Sequence, residues 1–440
     1  MSEKYNVILI VIDALRADHL SCYGYRYPTS PTLDTLAAAG ILGENLFAPA
    51  IPTQPSFTTL YTGQHPMTHG IIAHGGTASL AKNAPILAEH FLYAGYNTCA
   101  VDNLWRARPW FGRGFVDYLD PSLKRTLPVA VTCDEMNDSV IKWLRAFGAE
   151  PFFMLIHYWD PHYPLTPPPR YQGLFYEGQN PTDRGNHSLE AWWRHPVGLL
   201  ARNTWLRSPA GRITDADYVR ALYDQEIRYV DDGIANLLQA MDELALTERT
   251  LLLILADHGA SMTEHDIFFE HYGLYDATTH VPLIAHWPGH LPAGVRLPHL
   301  LQSSDVAPTL LEATGLAVPK TIAGRSFWPL LTGATHEGGH EQVISLECSW
   351  QASWCLRTRQ HKLILNRELD ACRGHWPQRE LYDLQADPAE LHNLAPAQPH
   401  LADEMTAELE AWIMTQAAAL GLPGDPVAAQ GITLGRNWSL

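Results

Sequence analysis

Basic residues are scarce in this sequence. Its 440 residues include 30 Lys or Arg against 47 Asp or Glu, so the formal net charge is −17. Proteins that bind nucleic acid or an anionic membrane surface through charge need a basic face, because phosphate contacts supply much of their affinity. The composition therefore argues against both kinds of partner.

Long apolar runs and paired cysteines are also missing. The amino-terminal segment MSEKYNVILIVIDALR reaches Asp13 after a short apolar run, and no other stretch approaches the roughly 18 apolar residues of a membrane span. The six cysteines are scattered without a CxxC pair, which is typical of reduced thiols in a cytosolic protein and excludes a zinc knuckle or disulfide framework. We therefore expect a soluble, cytoplasmic protein.

The rest of the composition is typical of a folded chain. Hydrophobic residues make up 46% of the sequence and charged residues 18%, outside the low-hydropathy, high-charge range of disordered proteins. The length fits two or three domains, and it fits one large α/β domain with an appendage equally well.

Apolar strand-like segments alternate with helix-like segments. Strands are predicted at residues 7–12, 97–101, 152–157, 251–256 and 281–287. Helices are predicted at 84–94, at 215–244 with Thr214 as the cap, and around 400–419. This alternation predicts an α/β fold with a mostly parallel sheet covered by helices on both faces.

Two regions depart from the alternation. Residues 164–213 are rich in proline, contain three tryptophans and show little periodicity, which predicts a long insertion that lies over the sheet edge as a lid. From about residue 340 the pattern changes to short strands and a helix. We therefore predict a large α/β domain (1–339), a small carboxyl-terminal α+β subdomain (340–420) and a tail (421–440). The insertion and the tail are the segments that could mediate homo-oligomer formation.

Metal-type ligands follow two of the predicted strands directly. Asp13 ends the first strand, and Asp257-His258-Gly259 follow the strand at 251–256. Because the carboxyl ends of parallel strands form the ligand crevice of an open α/β sheet, these residues can converge. Two carboxylates and one imidazole suit a divalent ion such as Zn²⁺ or Mn²⁺. A lone Asp-His-Gly fits a plain turn as well, but its combination with Asp13 favours a metal site.

The segment at 53–63, TQPSFTTLYTG, resembles a known nucleophile loop. In the sulfatase branch of the alkaline phosphatase superfamily this loop reads (C/S)-x-P-S-R-x-x-L-L-T-G. Later segments resemble other signatures of that family: DHG at 257–259, HVPLI at 280–284, WPG at 287–289, DVAPTLL at 305–311, GRSFWPLL at 324–331 and ELYDL at 380–384. The resemblance extends over about residues 5–396, and it implies that the larger domain is the catalytic one.

The sequence also departs from the sulfatase pattern. Sulfatases convert the loop cysteine or serine to formylglycine and surround it with the loop arginine and two lysines. Here Thr53 holds the nucleophile position, Phe57 holds the arginine position, and Asn103 and His271 hold the lysine positions. A threonine cannot become formylglycine, because its β-carbon carries a methyl group.

These departures resemble the threonine-using phosphoryl-transfer members of the superfamily, such as nucleotide pyrophosphatase/phosphodiesterases and phosphoethanolamine transferases. That resemblance implies one divalent ion held by Asp13, Thr53, Asp257 and His258, with Zn²⁺ or Mn²⁺ favoured and Ca²⁺ or Mg²⁺ as alternatives.

The family histidine that faces the substrate anion corresponds to His162. With His271 and Asp160, it would hold a second ion in place of the missing lysines. Alternatively, His162 and His271 would simply donate hydrogen bonds to the anion. Asn103 would donate its amide to a substrate oxygen, although an Asn after a strand is most often a turn residue. A packed histidine is slightly favoured for His157 and a turn aspartate for Asp160, while His69 or His74 could reach the crevice.

The favoured function is metal-dependent hydrolysis of a small anionic phosphate or phosphonate ester. Metal-bound Thr53 would form a covalent phospho-threonine intermediate. Phosphodiesters are preferred to monoesters, because a dianion needs more cationic donors than Phe57 and Asn103 provide, and sulfate esters are possible secondary substrates. The alternatives are a sulfatase, a phosphoryl-group transferase such as a phosphoethanolamine transferase, and an inactive relative retained for binding.

Overall fold

The strands form one large sheet, one smaller sheet and a two-stranded pair in the computed structural model, which describes residues 4–369 and 376–434. Cys372 and the end of the predicted tail lie outside these ranges. The strands are β1 Asn6–Ile12, β2 Ile41–Phe47, β3 Ala50–Ile51, β4 Asn97–Val101, β5 Asp117–Leu119, β6 Phe152–Tyr158, β7 Thr250–Ala256, β8 Ser261–Met262, β9 Phe268–Glu270, β10 His280–His286, β11 Val295–Gln302, β12 Gln342–Cys348, β13 Ala352–Thr358, β14 His361–Glu368 and β15 Arg379–Asp383.

The large sheet has eight strands in the order β11-β2-β10-β7-β1-β6-β4-β5. The five adjacent strands β7, β1, β6, β4 and β5 are parallel to one another, and β11 is parallel to β2. Strand β10 is antiparallel to both of its neighbours, β2 and β7. Strands β1 and β7 are buried along their whole length, as expected for central strands that are covered on both faces. The predicted α/β class with a mostly parallel sheet is confirmed.

Helices flank the large sheet, and α1, α4 and α5 contact its strands. The helices are α1 Pro31–Ala39, α2 Thr53–Thr62, α3 Pro66–His69, α4 Leu87–Tyr93, α5 Cys133–Phe147, α6 Pro196–Asn203, α7 Ala216–Glu243, α8 Asp276–Thr279, α9 Val306–Ala313, α10 Trp328–Leu331, α11 Pro399–Ala419 and α12 Pro426–Gln430. No helix within the described ranges is long and apolar enough to cross a bilayer.

The smaller sheet has the order β15-β14-β13-β12-β3. Strands β12, β13, β14 and β15 pair with their neighbours in antiparallel fashion. The short strand β3 pairs in parallel with β12 through Ala50 and Leu346. Strand β3 comes from the amino-terminal part of the chain and ends two residues before Thr53. The carboxyl-terminal sheet therefore fixes the backbone that leads into α2, while the domain boundary at residue 340 stays a prediction.

The predicted insertion at 164–213 packs into the same apolar core as the large sheet. It contains one helix, α6, that its irregular composition did not predict. Its Trp192 and Trp193 are buried and stack with ring centroids 5.0 Å apart, and Trp205 is partly buried beside them. These tryptophans contribute to the core, whereas the function of the segment as a lid stays a prediction.

The long helix α7 begins with a different cap from the one predicted. Asp215 is the N-cap, and its side chain accepts a hydrogen bond from the backbone N–H of Asp217. Thr214 instead donates to the carbonyls of Pro181 and Asp183 in the insertion. A carboxylate competes well for this position because it also interacts favourably with the positive end of the helix dipole.

His69, at the end of α3, provides a test of stability against pH. Its ring accepts from the backbone N–H of Ile71 and contacts the Thr59 hydroxyl at 3.1 Å. Burial, followed by the charge of His65, lowers the pKa of His69 from 6.5 to about 3. Between pH 3 and pH 6.5, His69 is protonated in the unfolded chain but neutral in the folded protein. The contribution of neutral His69 to the free energy of unfolding is therefore complete above pH 6.5 and is lost as pH falls towards 3.

We expect His69→Gln to reduce this pH dependence. For each pH unit below 6.5, the free energy of unfolding of the wild type should fall by about 1.4 kcal/mol more than that of the variant. Urea denaturation of both proteins at pH 7 and pH 5 measures the difference. Parallel losses of the free energy of unfolding in the two proteins would show that His69 is not neutral in the folded state.

Candidate metal and nucleophile site

Two adjacent parallel strands bring the two candidate aspartates together. Strands β1 and β7 pair in register up to Ile12 and Ala256, so Asp13 and Asp257 leave the sheet side by side. Both are fully buried, as is His258. Ligand atoms from the three side chains all lie within 4.8 Å of one another. The convergence expected at the carboxyl ends of the strands is therefore present.

The facing atoms of this group are lone-pair acceptors. The Nδ1 atom of His258 lies 2.9 Å from the Gly259 carbonyl. A carbonyl can only accept, so Nδ1 carries the hydrogen and Nε2 presents its lone pair. That Nε2 atom lies 3.3 Å from Asp257 Oδ2 and 3.6 Å from Asp13 Oδ1, and neither oxygen has a hydrogen-bond partner among the described residues. A buried divalent cation would satisfy all three atoms, so the residues fit the ion.

The two carboxyl groups have different electrostatic surroundings. Burial, followed by the charge of Asp13, raises the pKa of Asp257 to about 7. Burial also opposes ionisation of Asp13, but the nearby charges of His162, His258 and His157, with a hydrogen bond from His157, hold the pKa of Asp13 well below its usual range. A bound cation would favour the ionised form of both groups.

Thr53 lies beside these ligands at the first position of α2. Its side chain is nearly fully buried, and its Oγ1 atom lies 3.2 Å from Nε2 of His258, to which it donates. Ser56, one turn later, donates to the Asp257 carbonyl at 2.6 Å and ties the helix to the end of β7. The free N–H groups of the first helical turn give this end of α2 a positive potential that suits an anion.

His162 and His271 also belong to this cluster. Their rings stack with centroids 4.4 Å apart, and the His271 ring lies 5.2 Å from that of His258. His162 donates from Nδ1 to the Tyr163 carbonyl at 2.6 Å, whereas neither ring nitrogen of His271 has a hydrogen-bond partner in the described part of the chain. Burial is the largest cause that lowers the pKa of both imidazoles.

The structure does not bring Asp160 into this cluster. Its Oδ2 atom accepts a 2.9 Å hydrogen bond from the backbone N–H of Cys133, at the start of α5. Burial raises the pKa of Asp160 to about 7. Within residues 4–369 and 376–434, Asp13, Asp257 and His258 form the one group of three or more such side chains spaced to hold an ion. The predicted three-ligand second site with Asp160 is therefore not assembled.

Asn103 also serves a different purpose from the one predicted. Its amide nitrogen donates to the Ser122 hydroxyl at 3.2 Å and to the Pro128 carbonyl at 3.1 Å. Both amide hydrogens are thus committed to the loop that follows β5. The turn alternative accounts for Asn103 better than a contact with substrate does.

Sequence reasoning missed Asp102 and undervalued His157. His157 lies between Asp102 and Asp13 and contacts both carboxylates. Burial lowers its pKa, but the hydrogen bonds and charges of these two carboxylates raise it to about 9. Asp102 follows β4 directly, as Asp13 follows β1. This position at the carboxyl end of a strand is the sequence feature that could have identified Asp102 as a residue of the site.

Comparisons with known proteins agree with this geometry. The family model described as "Sulfatase" matches residues 5–316, and the model described as "N-sulphoglucosamine sulphohydrolase, C-terminal" matches residues 263–417. A Delta 4,5-hexuronate-2-O-sulfatase of Bacteroides thetaiotaomicron is 24% identical over 417 residues, which cover 89% of this chain and 85% of the relative.

Two solved structures share the fold over nearly their whole length. The phosphonate monoester hydrolase of Agrobacterium radiobacter has a TM-score of 0.73 and 23% identity, and the match covers 95% of this chain and 96% of that one. A putative sulfatase from Bacteroides thetaiotaomicron has a TM-score of 0.76 and 22% identity, and the match covers 99% and 100%. Because the sulfatase model matches well over half of the sequence, including β1, β7 and α2, this chain belongs to the sulfatase family.

Proposed function

We propose that this sulfatase-family ester hydrolase cleaves phosphate or phosphonate esters, with phosphodiesters favoured, and that Thr53 is its nucleophile. The observation that carries the proposal is the position of the Thr53 hydroxyl, 3.2 Å from His258 Nε2 and beside Asp13 and Asp257. Since a threonine cannot supply the formylglycine aldehyde, the hydroxyl itself has to attack. Phosphorus esters are the substrates that the threonine-using members of the superfamily cleave in this way.

Asp13, Asp257, His258 and Thr53 are the residues that would hold a divalent ion. When bound, such an ion would supply Lewis-acid stabilisation of negative charge and make the hydroxyl a better nucleophile near neutral pH. Zn²⁺ and Mn²⁺ suit the mixed carboxylate and imidazole donors best. Tests should include Ca²⁺ and Mg²⁺ as well.

In the first chemical step, a bond forms between Thr53 Oγ1 and phosphorus while the bond from phosphorus to the leaving oxygen breaks. The proton lost by Thr53 is balanced by the proton that the leaving oxygen gains. His271, with no partner in the described chain for either ring nitrogen, can donate a hydrogen bond to that oxygen. Water then cleaves the phospho-threonine ester and regenerates the hydroxyl.

The preference for a diester follows from the few cationic donors beside Thr53. Phe57 is fully buried and apolar, and the amide of Asn103 is committed elsewhere. The remaining donors are the first N–H groups of α2 and the histidines of the cluster. A diester carries one negative charge and leaves less charge unpaired than a monoester dianion does.

Sulfate ester hydrolysis is the second candidate. The observation in its favour is the match to the sulfatase model and to a curated relative named as a hexuronate sulfatase. A sulfate ester is a monoanion of the same tetrahedral shape, so it meets the same charge requirement as a phosphodiester.

A substrate panel separates these functions. We expect metal-loaded protein to hydrolyse bis-p-nitrophenyl phosphate or a phenylphosphonate monoester best. Its kcat/KM on these should be at least about tenfold above that on p-nitrophenyl phosphate, since an unpaired charge costs more than the ~1.4 kcal/mol that a factor of ten represents. Turnover of p-nitrophenyl sulfate above all phosphorus substrates would contradict the proposal. Product formation only with an added acceptor alcohol would instead identify a transferase.

A further inference from the structure

His157 bridges two carboxylates in the interior of the protein. Its Nδ1 atom lies 2.7 Å from Asp102 Oδ1, and its Nε2 atom lies 3.2 Å from Asp13 Oδ2. All three side chains are fully buried. Strand β6, which carries His157, lies between β1 and β4, and these strands deliver Asp13 and Asp102 at their ends. The sheet order therefore builds the bridge.

Hydrogen-bond chemistry determines what His157 presents to Asp13. An ionised carboxylate can only accept hydrogen bonds. A histidine that hydrogen-bonds to one carboxylate through each ring nitrogen therefore carries a hydrogen on both nitrogens. Asp102 is itself fixed, because its Oδ2 atom accepts from the Leu104 N–H at 3.0 Å and from the Tyr118 hydroxyl. His157 is thus a rigid N–H donor aimed at Asp13.

This donor occupies one oxygen of Asp13 and leaves the other facing the site. Oδ2 is bound to His157, while Oδ1 has no hydrogen-bond partner in the described structure and faces His258 Nε2 at 3.6 Å. Asp257 is arranged in the same way, since its Oδ1 atom accepts backbone N–H groups from Ala14 and His258. Each carboxylate can therefore offer one oriented oxygen to a cation.

Phe57 packs against the same histidine. Its buried ring lies 4.4 Å from the His157 ring, and this close packing limits the orientations that the imidazole can adopt.

We propose that His157, held by Asp102, is the positioning residue of this metal site and orients Asp13. It acts through Asp13 and not on the substrate itself. The inference rests on the proposed metal site, so its test has to separate a failure of the site from a failure of the bridge.

His157→Phe is the most direct test, because it keeps a buried ring of similar size and removes both ring nitrogens. The Oδ2 atom of Asp13 then loses the donor that lies 3.2 Å from it. We expect the affinity for Zn²⁺ or Mn²⁺, measured by competition with a chromogenic chelator, to fall by about 10–100-fold, as for other partners that orient metal ligands. His69→Gln, at a buried histidine outside the site, should change the affinity by less than about threefold.

The nitrogen shifts of the His157 ring provide a readout that is independent of metal and activity. In the wild-type protein, the Nε2 atom of His157, which faces Asp13, should carry a hydrogen by ¹⁵N NMR. An Nε2 atom without hydrogen, or metal affinity of His157→Phe within threefold of wild type, would overturn the inference. If wild type and His69→Gln also bind no divalent ion, the metal site itself is wrong.

His157→Gln is the conservative variant, because its amide N–H can still donate to Asp13. We expect it to recover at least about tenfold of the metal affinity that His157→Phe loses. Circular dichroism checks that each variant is folded. A folded His157→Gln that binds metal no better than His157→Phe would overturn the positioning role.

Discussion

Thr53→Val is expected to abolish ester hydrolysis, with a fall in kcat/KM of roughly a thousandfold or more, as for the loss of other covalent nucleophiles. Valine has nearly the shape of threonine but lacks the hydroxyl that lies 3.2 Å from His258 Nε2. The helix start and its packing should therefore survive while the attacking atom is lost. Steady-state kinetics on the best substrate of the panel measure the effect.

Thr53→Ser is the matched control, because it keeps the hydroxyl and removes only the methyl group; the mass of the peptide that contains residue 53 has to show that the serine is not converted to formylglycine. We expect it to retain activity within about a hundredfold of wild type, since a nucleophile variant that keeps its reacting atom loses mainly orientation. Thr62→Ser, at the other end of α2, should have almost no effect on turnover. Full activity of Thr53→Val would exclude Thr53 as the nucleophile.

Removal of divalent metal is expected to reduce turnover by roughly a thousandfold or more, because an ion held by Asp13, Asp257 and His258 would supply most of the positive charge near Thr53. Zn²⁺ or Mn²⁺ should restore activity to the chelated protein. The ion should also stabilise the fold, by about 2.7 kcal/mol at a hundred times its Kd. Activity assays and thermal denaturation after dialysis against a chelator measure both effects.

Two aspartate variants make this test specific. Asp257→Asn removes a charge from the ligand group and should abolish high-affinity metal binding. Asp160→Asn removes a buried carboxylate whose hydrogen-bond partner is the Cys133 N–H, so metal affinity should be unchanged even if stability falls. Equal loss of metal affinity in the two variants would show that Asp160 is a ligand after all, and undiminished turnover after chelation would contradict a metal-dependent mechanism.

The sequence was sufficient for the parts of the site that depend on strand ends. Continuous apolar runs marked β1 and β7 to within one residue, and the carboxyl ends of parallel strands meet at one edge of a sheet. That rule predicted the convergence of Asp13, Asp257 and His258 that the structure shows. The segment around Thr53 was located by its resemblance to the nucleophile loop of the sulfatase family, and the role of Thr53 as nucleophile stays a prediction.

Residues whose partners come from distant loops could not be predicted in this way. The roles of Asp160 and Asn103 depend on the backbone of Cys133 and Pro128, and no local pattern reveals how those segments wrap. His157 was expected to be a packed histidine, because its two carboxylate partners come from neighbouring strands far apart in sequence. Helix α6 was missed because its surroundings are rich in proline and lack periodicity.

Trapping of the covalent intermediate tests the central claim most directly. Metal-loaded protein would be mixed with bis-p-nitrophenyl phosphate, quenched in acid within the first turnovers and digested for mass spectrometry. A phosphoryl ester on the peptide that contains Thr53, absent in Thr53→Val, is the predicted result. A burst of product with the label on another residue, or sustained turnover by Thr53→Val, would contradict the mechanism.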